Sequence, residues 1–251
     1  MEQSRLIIDT ARDGPLNMAI DEAMLTTAGM GQTLPTLRFY CWSQPTISLG
    51  HFQRYAEVQQ LGEPFNHLPI VRRITGGGAI LHDAELTYSL ILPAEHRLVE
   101  NHGPQTLYLA VHRALIAVLS SLGLPAQLRE GSRPTSQQKG PFFCFERPNP
   151  SDVLVAGRKI AGSAQRRTLK GLLQHGSLML DNPLGQPGVT TLAEHKRGDP
   201  PDPNSLATAW AGELAKTLGL SLAEGSLSDA ELALAETLKA KYASDQWTKH
   251  R

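Results

Sequence analysis

The sequence predicts an α+β fold with a mainly antiparallel β-sheet core flanked by helices, and three observations lead there. Short β-like runs occur as neighbours with hairpin-length links. Helical runs separate groups of strands rather than alternating with single strands. Neither GxGxxG nor GxxxxGKS/T occurs, so a doubly wound nucleotide-binding sheet has no fingerprint here. A length of 251 residues is ample for a large core and allows one domain over 1–251.

Each element has its own warrant. RLIIDT (5–10) reads as a short strand. PLNMAIDEAMLTTAG (15–29) reads as a helix, with Pro15 in its first turn, Gly29 at its end, and Leu16, Ile20 and Met24 facing the core. TLRFYCW (36–42) and TISLGHF (46–52) read as strands joined by SQP. IVRRIT (70–75) is a strand, GGG a loop, and AILHDAELTYSLILP (79–93) a longer β segment. QTLYLAVHRALIAVLSSLG (105–123) is the clearest helix, stopped by Gly123. A polar, Gly/Pro-broken loop follows over 128–141. DVLVA and KIAGSAQRR, turning at Gly157, form a hairpin within 152–167, and LLQHGSLML (172–180) is another strand. After an irregular connection over 183–204, helices are expected at 205–219 and 228–243. Ser228 and Glu231 have capping-box spacing.

Composition removes several function classes. The chain is 41% hydrophobic and 19% charged, as folded proteins are. Lys+Arg and Asp+Glu both total 24, so no net charge draws it to nucleic acid or membranes, and neither partner is expected. No run of about 18 apolar residues is present. MEQSRLIIDTARDG has no basic region leading into an apolar one, and is too acidic for a transit peptide. Two cysteines make no disulfide framework, and a reduced, cytoplasmic setting is expected. Without HExxH or paired His/Cys spacing, no metal is expected.

Four stretches could carry chemistry. In RRITGGGAILHD (72–83), three glycines weaken a strand but let backbone approach a ligand, with amides free to meet a carbonyl, carboxylate or phosphate. Arg72 and Arg73 should point to opposite faces, so at most one meets that ligand; a bulge with solvated arginines is the plainer alternative. In GRKIAGSAQRR (157–167), strict alternation places Lys159, Ser163 and Gln165 on one face, where a lysine could polarise an acyl carbonyl or pair with a phosphate. An exposed hairpin lysine is equally compatible. His175 in LQHGSLML (173–180), like His82, is more often structural than catalytic in such a setting. GPFFCFE (140–146) sets Cys144 between two phenylalanines, either as apolar filler or as a nucleophile needing a nearby positive charge, which Lys159 could supply if the fold brings them together. Cys41 has no such context and reads as packing.

In this order, these stretches resemble the biotin/lipoate A/B protein ligase family, and within it the LipM-type octanoyltransferases. NMAIDEAML (17–25), PTLRFYCWSQPTISLGHFQ (35–53), RRITGGGAILHDAELTYS (72–89), Cys-Phe-Glu (144–146), GRKIAGSAQRR, LQHGS (173–177) and KYASDQW (241–247) carry the resemblance over nearly the whole chain. It implies the family's catalytic-domain fold, which is class II aminoacyl-tRNA synthetase-like, with a tunnel for a medium-length acyl chain. The implied activity moves octanoyl from acyl carrier protein to a lysine of a lipoyl domain, such as glycine-cleavage H protein or an E2 subunit. Cys144 matches the group's nucleophile and Lys159 its lysine. Arg73, Thr75, Gly76, Gly77, Gly78, Ala79, His82, Gly162, Ser163, Gln165, His175, Gly176 and Ser177 would complete the substrate site, with no cofactor.

RRITGGGA departs from the RRPTGGRA-like stretch of many LipM-type members at Ile74 and Gly78. The triple glycine also resembles lipoate–protein ligases, which would use ATP and Mg and cradle an acyl-adenylate with the same loop and lysine. Cys144, and a length too short for the extra C-terminal domain of many ligases, favour the transferase. An amidotransferase acting between two lipoyl domains would use the same cysteine. Arg129, Arg133, Lys139, Arg166, Arg167 and Lys170 could face an acidic carrier protein or be ordinary solvated charges.

Overall fold

The chain opens with β1 (Glu2–Ile8) and helix α1 (Gly14–Ala28). In the computed structural model, which describes residues 1–100, 103–130, 140–196 and 201–251, Asp13 caps α1 by accepting from the Leu16 amide, and Pro15 lies in the first turn. Next come β2 (Thr36–Tyr40), β3 (Thr46–Leu49), β4 (Ile70–Arg72), β5 (Ile80–His82) and β6 (Glu85–Pro93). A short α2 (Arg97–Glu100) precedes the long α3 (Pro104–Ser121) and β7 (Ala126–Leu128). The hairpin β8 (Val153–Val155) and β9 (Arg158–Arg167) leads into β10 (Gly171–Met179). The remaining elements are α4 (Leu192–His195), α5 (Pro203–Leu218), β11 (Leu220–Glu224), α6 (Asp229–Ala243) and α7 (Asp245–Thr248). Ser228 and Glu231 form the expected capping box at α6. Of the polar loop and the irregular connection, 131–139 and 197–200 lie outside the described residues, and Arg133 and Lys139 with them.

Eight strands form one sheet in the order β11-β1-β2-β6-β10-β9-β8-β7. β1 runs parallel to both neighbours, because helix-containing connections deliver the chain into β2 and β11. Every other pairing in this sheet is antiparallel. The expectation of a mainly antiparallel α+β fold therefore holds, with a parallel edge.

Two links pass between sheets. SQP joins the two expected strands, but carries the chain from β2 in the large sheet to β3 in a second sheet, ordered β4-β3-β5. The segment 79–93 likewise breaks at Asp83–Ala84, giving β5 to the small sheet and β6 to the large one.

Helices cover both faces of the large sheet. Leu107, Val111, Leu115 and Leu119 of α3 and Leu206, Trp210 and Leu214 of α5 bury against one face with Phe39, Tyr88 and Leu178. Ile20 and Met24 of α1 pack with Ala235 and Tyr242 of α6 over Tyr40, Ile91 and Leu173 on the other. The small sheet has its own core of Ile47, Leu49, Leu81 and Phe143. Arg72 joins the C-terminus to this sheet, donating to the carbonyls of Thr248, Gly50, His51 and Gln53.

Candidate active site

A cavity of about 170 Å³ opens where the two sheets meet. Met18, Tyr40, Trp42, Ile80 and Phe145 give it apolar walls. Ser48, Arg73, His82, Cys144, Asp152, Lys159, His175 and Ser177 put polar groups on the same lining. Apolar walls with a few convergent polar groups are what a small-molecule site requires.

Cys144 opens a short 3-10 turn over Cys144–Glu146. The segment before it pairs with the glycine loop: Ala79 N–H donates to Phe142 O at 3.0 Å, and Cys144 N–H donates to Ala79 O at 2.7 Å. This pairing presses Cys144 onto Gly78, where a Cβ would sit 2.9 Å from both Cα and N of Cys144. Arg147 Nε would be 2.8 Å from the same Cβ, so Arg147 and a side chain at 78 compete for one space. This is a local reason for glycine at the position where the chain departs from RRPTGGRA. Gly77 adopts φ +100°, which a Cβ would strain.

Lys159 reaches the same point from β9. Its Nζ lies 2.8 Å from Asp152 Oδ1 and donates to Cys144 O at 3.3 Å. The pair is buried, with side chains only 2% and 3% exposed. Burial pushes the Asp152 carboxyl up, and Lys159 only partly offsets it. Gly162 leaves room for the lysine, since a Cβ there would lie 2.6 Å from Lys159 Cε. Lys159 is thus no exposed hairpin residue.

Strict alternation fails in β9. Lys159 pairs with Leu154 and Ala161 with Val153, so β9 carries one extra residue. Ile160 and Ala161 both enter the core, and Lys159 shares its face with Gly162 instead of Ser163. Ser163 bonds Tyr88 OH at 2.8 Å and His112 Nε2 at 2.6 Å. Gln165 donates to Gln174 and to Pro104 O, and is absent from the cavity lining.

Both arginines before the glycine loop are buried, against the reading of solvated charges. As expected, only Arg73 faces the cavity. Gly77, Gly78, Gly162, Ser163, Gly176 and Ser177 reach the lining, whereas Thr75, Gly76 and Ala79 do not. Thr75 bonds His175 Nε2 at 2.6 Å, and His175 Nδ1 lies 3.1 Å from Asp21. Burial raises the Asp21 carboxyl, but His175, Arg38 and Ser89 outweigh it and hold the group below the ordinary carboxylate range. His175 is therefore tied structurally while touching the cavity. His82 stacks on Trp42 with ring centroids 3.8 Å apart. Cys41 and Cys144 are both free, and burial pushes the Cys41 thiol up, as for a packing residue.

Sequence reasoning missed Asp152, Ser48 and Arg147. Asp152 had a signal: it starts the hairpin arm that pairs with Lys159. Ser48 and Arg147 had none, because their places depend on how the two sheets meet. Of the basic residues considered for docking, Arg129 lies 3.5 Å from Asp152, Arg167 donates to Gln165 and Val99, and Arg166 and Lys170 line a surface groove with His51 and Lys241.

The description "lipoyl protein ligase A/B catalytic domain" matches residues 13–209. An octanoyltransferase LipM of Symbiobacterium thermophilum is 38% identical, covering 98% of both chains. A second octanoyltransferase LipM, of Brevibacillus brevis, is 34% identical over the whole of both. Among solved structures, a bi-partite lipoate protein ligase of Thermoplasma acidophilum, described with its E2 lipoyl domain, superposes with a TM-score of 0.74 at 20% identity, covering 99% of this chain and 97% of that one. At that identity the likeness speaks for the fold.

Proposed function

The chain belongs to the lipoyl protein ligase A/B catalytic-domain family, and from that premise we propose that it transfers an octanoyl group from acyl carrier protein to a lysine of a lipoyl domain through a Cys144 acyl-enzyme. The octanoyltransferase activity accords with full-length relatives at 38% and 34% identity. One observation carries the relay: a free cysteine and a buried lysine meet on the wall of one apolar-sided cavity.

In the first step Cys144 Sγ attacks the octanoyl thioester. Cys144 gives up its thiol proton, the Sγ–C bond forms, the carrier's C–S bond breaks, and the carrier thiolate takes up one proton in exchange. In the second step the acceptor amine attacks the new thioester. Its C–N bond forms, the Sγ–C bond breaks, and the proton given up by the nitrogen balances the one that restores the Cys144 thiol. Lys159 would stabilise the oxyanion in both steps. The seven carbons beyond the carbonyl would contribute about 5–6 kcal/mol if fully buried, at about 0.8 kcal/mol each. No nucleotide or metal enters these steps.

Intact mass tests the proposal. The pure protein is mixed with octanoyl-carrier protein without ATP, beside Cys144→Ser, and a lipoyl-domain acceptor is then added. The expected result is one octanoyl adduct, absent from Cys144→Ser and passed to the acceptor. No adduct, with acceptor modified only when free acid and ATP are supplied, would replace the relay with ligase chemistry. An adduct formed from an octanoylated lipoyl domain but not from the carrier would make the enzyme an amidotransferase.

A further inference from the structure

Of the cations that share the cavity lining with Cys144, the two buried ones, Lys159 and Arg73, have different surroundings. Lys159 already has a carboxylate, Asp152, at 2.8 Å. Arg73 is 2% exposed, and among the described residues it makes no ion pair. Its Nη1 donates to Ser48 O at 2.9 Å and Ser48 Oγ at 3.0 Å. Its Nη2 donates to Gly76 O at 2.9 Å and Gly78 O at 2.6 Å. Its Nε is buried with no hydrogen-bond partner among the described residues. Neutral oxygens orient a guanidinium but do not cancel its charge, and a buried charge without a counter-charge is costly.

The missing anion has a place. A methyl group at Gly77 would lie 3.0 Å from Arg73 Nη2 and 4.0 Å from Cys144 Sγ. Guanidinium and sulfur therefore border the same small volume, left open by a glycine. We infer that Arg73 is the counter-ion of a Cys144 thiolate, and that Glu85, His82 and Ser48 are positioning residues that hold it there. The inference rests on the cysteine relay proposed above.

Behind Arg73 runs a buried chain. Glu85 Oε1 lies 2.6 Å from His82 Nδ1, and His82 Nε2 lies 2.7 Å from Ser48 Oγ. With Nδ1–H donating to Glu85, Nε2 accepts the Ser48 hydroxyl, whose oxygen is left to accept from Arg73. Burial pulls the His82 imidazole down despite Glu85, which suits this neutral tautomer. Burial also pulls Arg73 down to about 10, opposed most by its proximity to Cys144. Among the described residues, the other charged or titratable groups at the site are Lys159 with Asp152 from the hairpin, Arg147 from the cysteine's own segment, Tyr40 of β2, and His175 of β10 with Asp21 behind it; Glu146 follows Cys144 in the chain but does not line the cavity.

Iodoacetamide labelling of Cys144, read by peptide mass over about pH 5 to 10, tests the inference. Arg73→Met should move the rate profile to higher pH and slow labelling at neutral pH at least about tenfold. Arg73→Lys should keep most of the parent profile, and Lys159→Met should shift it less than Arg73→Met does. Ser48→Ala should shift it upward by a smaller amount. A folded Arg73→Met with the parent profile would overturn the inference. If that variant does not fold, a Lys159→Met profile displaced further than that of Arg73→Lys, with Ser48→Ala unchanged, would overturn it equally. Labelling needs no acyl donor. Loss of the carrier adduct with the Arg73 shift intact would therefore refute the relay and leave the counter-ion standing.

Discussion

Gly78→Ala adds one methyl group at the most constrained point of the cavity. The new Cβ would stand 2.9 Å from Cα and N of Cys144 and 2.8 Å from Arg147 Nε, whereas ordinary contact begins near 3.4 Å. Arg147 Nε lies in the middle of a long side chain and can swing away by giving up its hydrogen bond to Pro141 O. The two Cys144 atoms are backbone, tied by the 2.7 Å hydrogen bond to Ala79 O, and can yield only if the 142–146 segment retreats. The retreat needed is about half an ångström, and overpacking of this kind costs about 1–3 kcal/mol. A displacement of about 1 Å can cost a factor of roughly a hundred in rate, so half of it should slow acyl-enzyme formation about tenfold. Quenched-flow intact mass gives that rate, and thermal unfolding gives the stability. Gly212→Ala is the control, since that exposed α5 glycine has nothing within 4 Å of a Cβ. It should gain up to about 1 kcal/mol and keep the parent rate. A Gly78→Ala enzyme with the parent's rate and melting temperature would refute the claim that this glycine sets the cysteine's position.

Other outcomes follow from the same geometry. Asp152→Asn keeps the shape beside Lys159 but removes its counter-charge, and should cost about 3–5 kcal/mol in urea unfolding together with at least tenfold in transfer; unchanged values in both would remove the pair from the site's design. His112 is pulled from 6.5 to about 4, first by burial and further by Lys159, with the Ser151 carbonyl opposing. The unfolded chain therefore takes up that proton before the folded one does, and stability falls as pH drops from 6.5 toward 4, by up to about 3 kcal/mol. His112→Gln should flatten this decline in urea midpoints measured across that window, and an equally steep decline would locate the sensitivity elsewhere. Arg166→Glu with Lys170→Glu should raise the KM for an acidic carrier at low salt and converge with the parent at high salt; equal KM values at low salt would take that groove out of docking.

What the sequence shows and what it hides can be traced residue by residue. The hairpin β8–β9, the strand β10 and the helix α3 were legible because alternation and helical spacing are local properties. The division into two sheets was not. SQP has the composition of any tight link, and its role follows from the packing of β3 against β4 and β5. The face of Lys159 was misread because the extra residue in β9 is defined by its pairing with β8, which alternation within one strand cannot reveal. The burial of Arg72 depends on Thr248, far along the chain, whose carbonyl accepts from it at 2.7 Å. The meeting of Cys144 with Lys159 was legible only through resemblance, since fifteen residues and a strand turn separate them in the chain.

The triple glycine bears on transferase against ligase chemistry. From sequence, its use was to aim backbone amides at a carbonyl, carboxylate or phosphate. In the folded chain two of its carbonyls, those of Gly76 and Gly78, accept from Arg73. Gly77 supplies the positive φ between them and leaves open the volume shared by Arg73 and Cys144. Gly78 lets the cysteine backbone approach within a distance that no Cβ allows. Each glycine thus makes or permits a contact to Arg73 or Cys144. A loop whose carbonyls hold a cation beside a thiol suits a thioester mechanism, in which charge develops first on sulfur and then on the acyl oxygen.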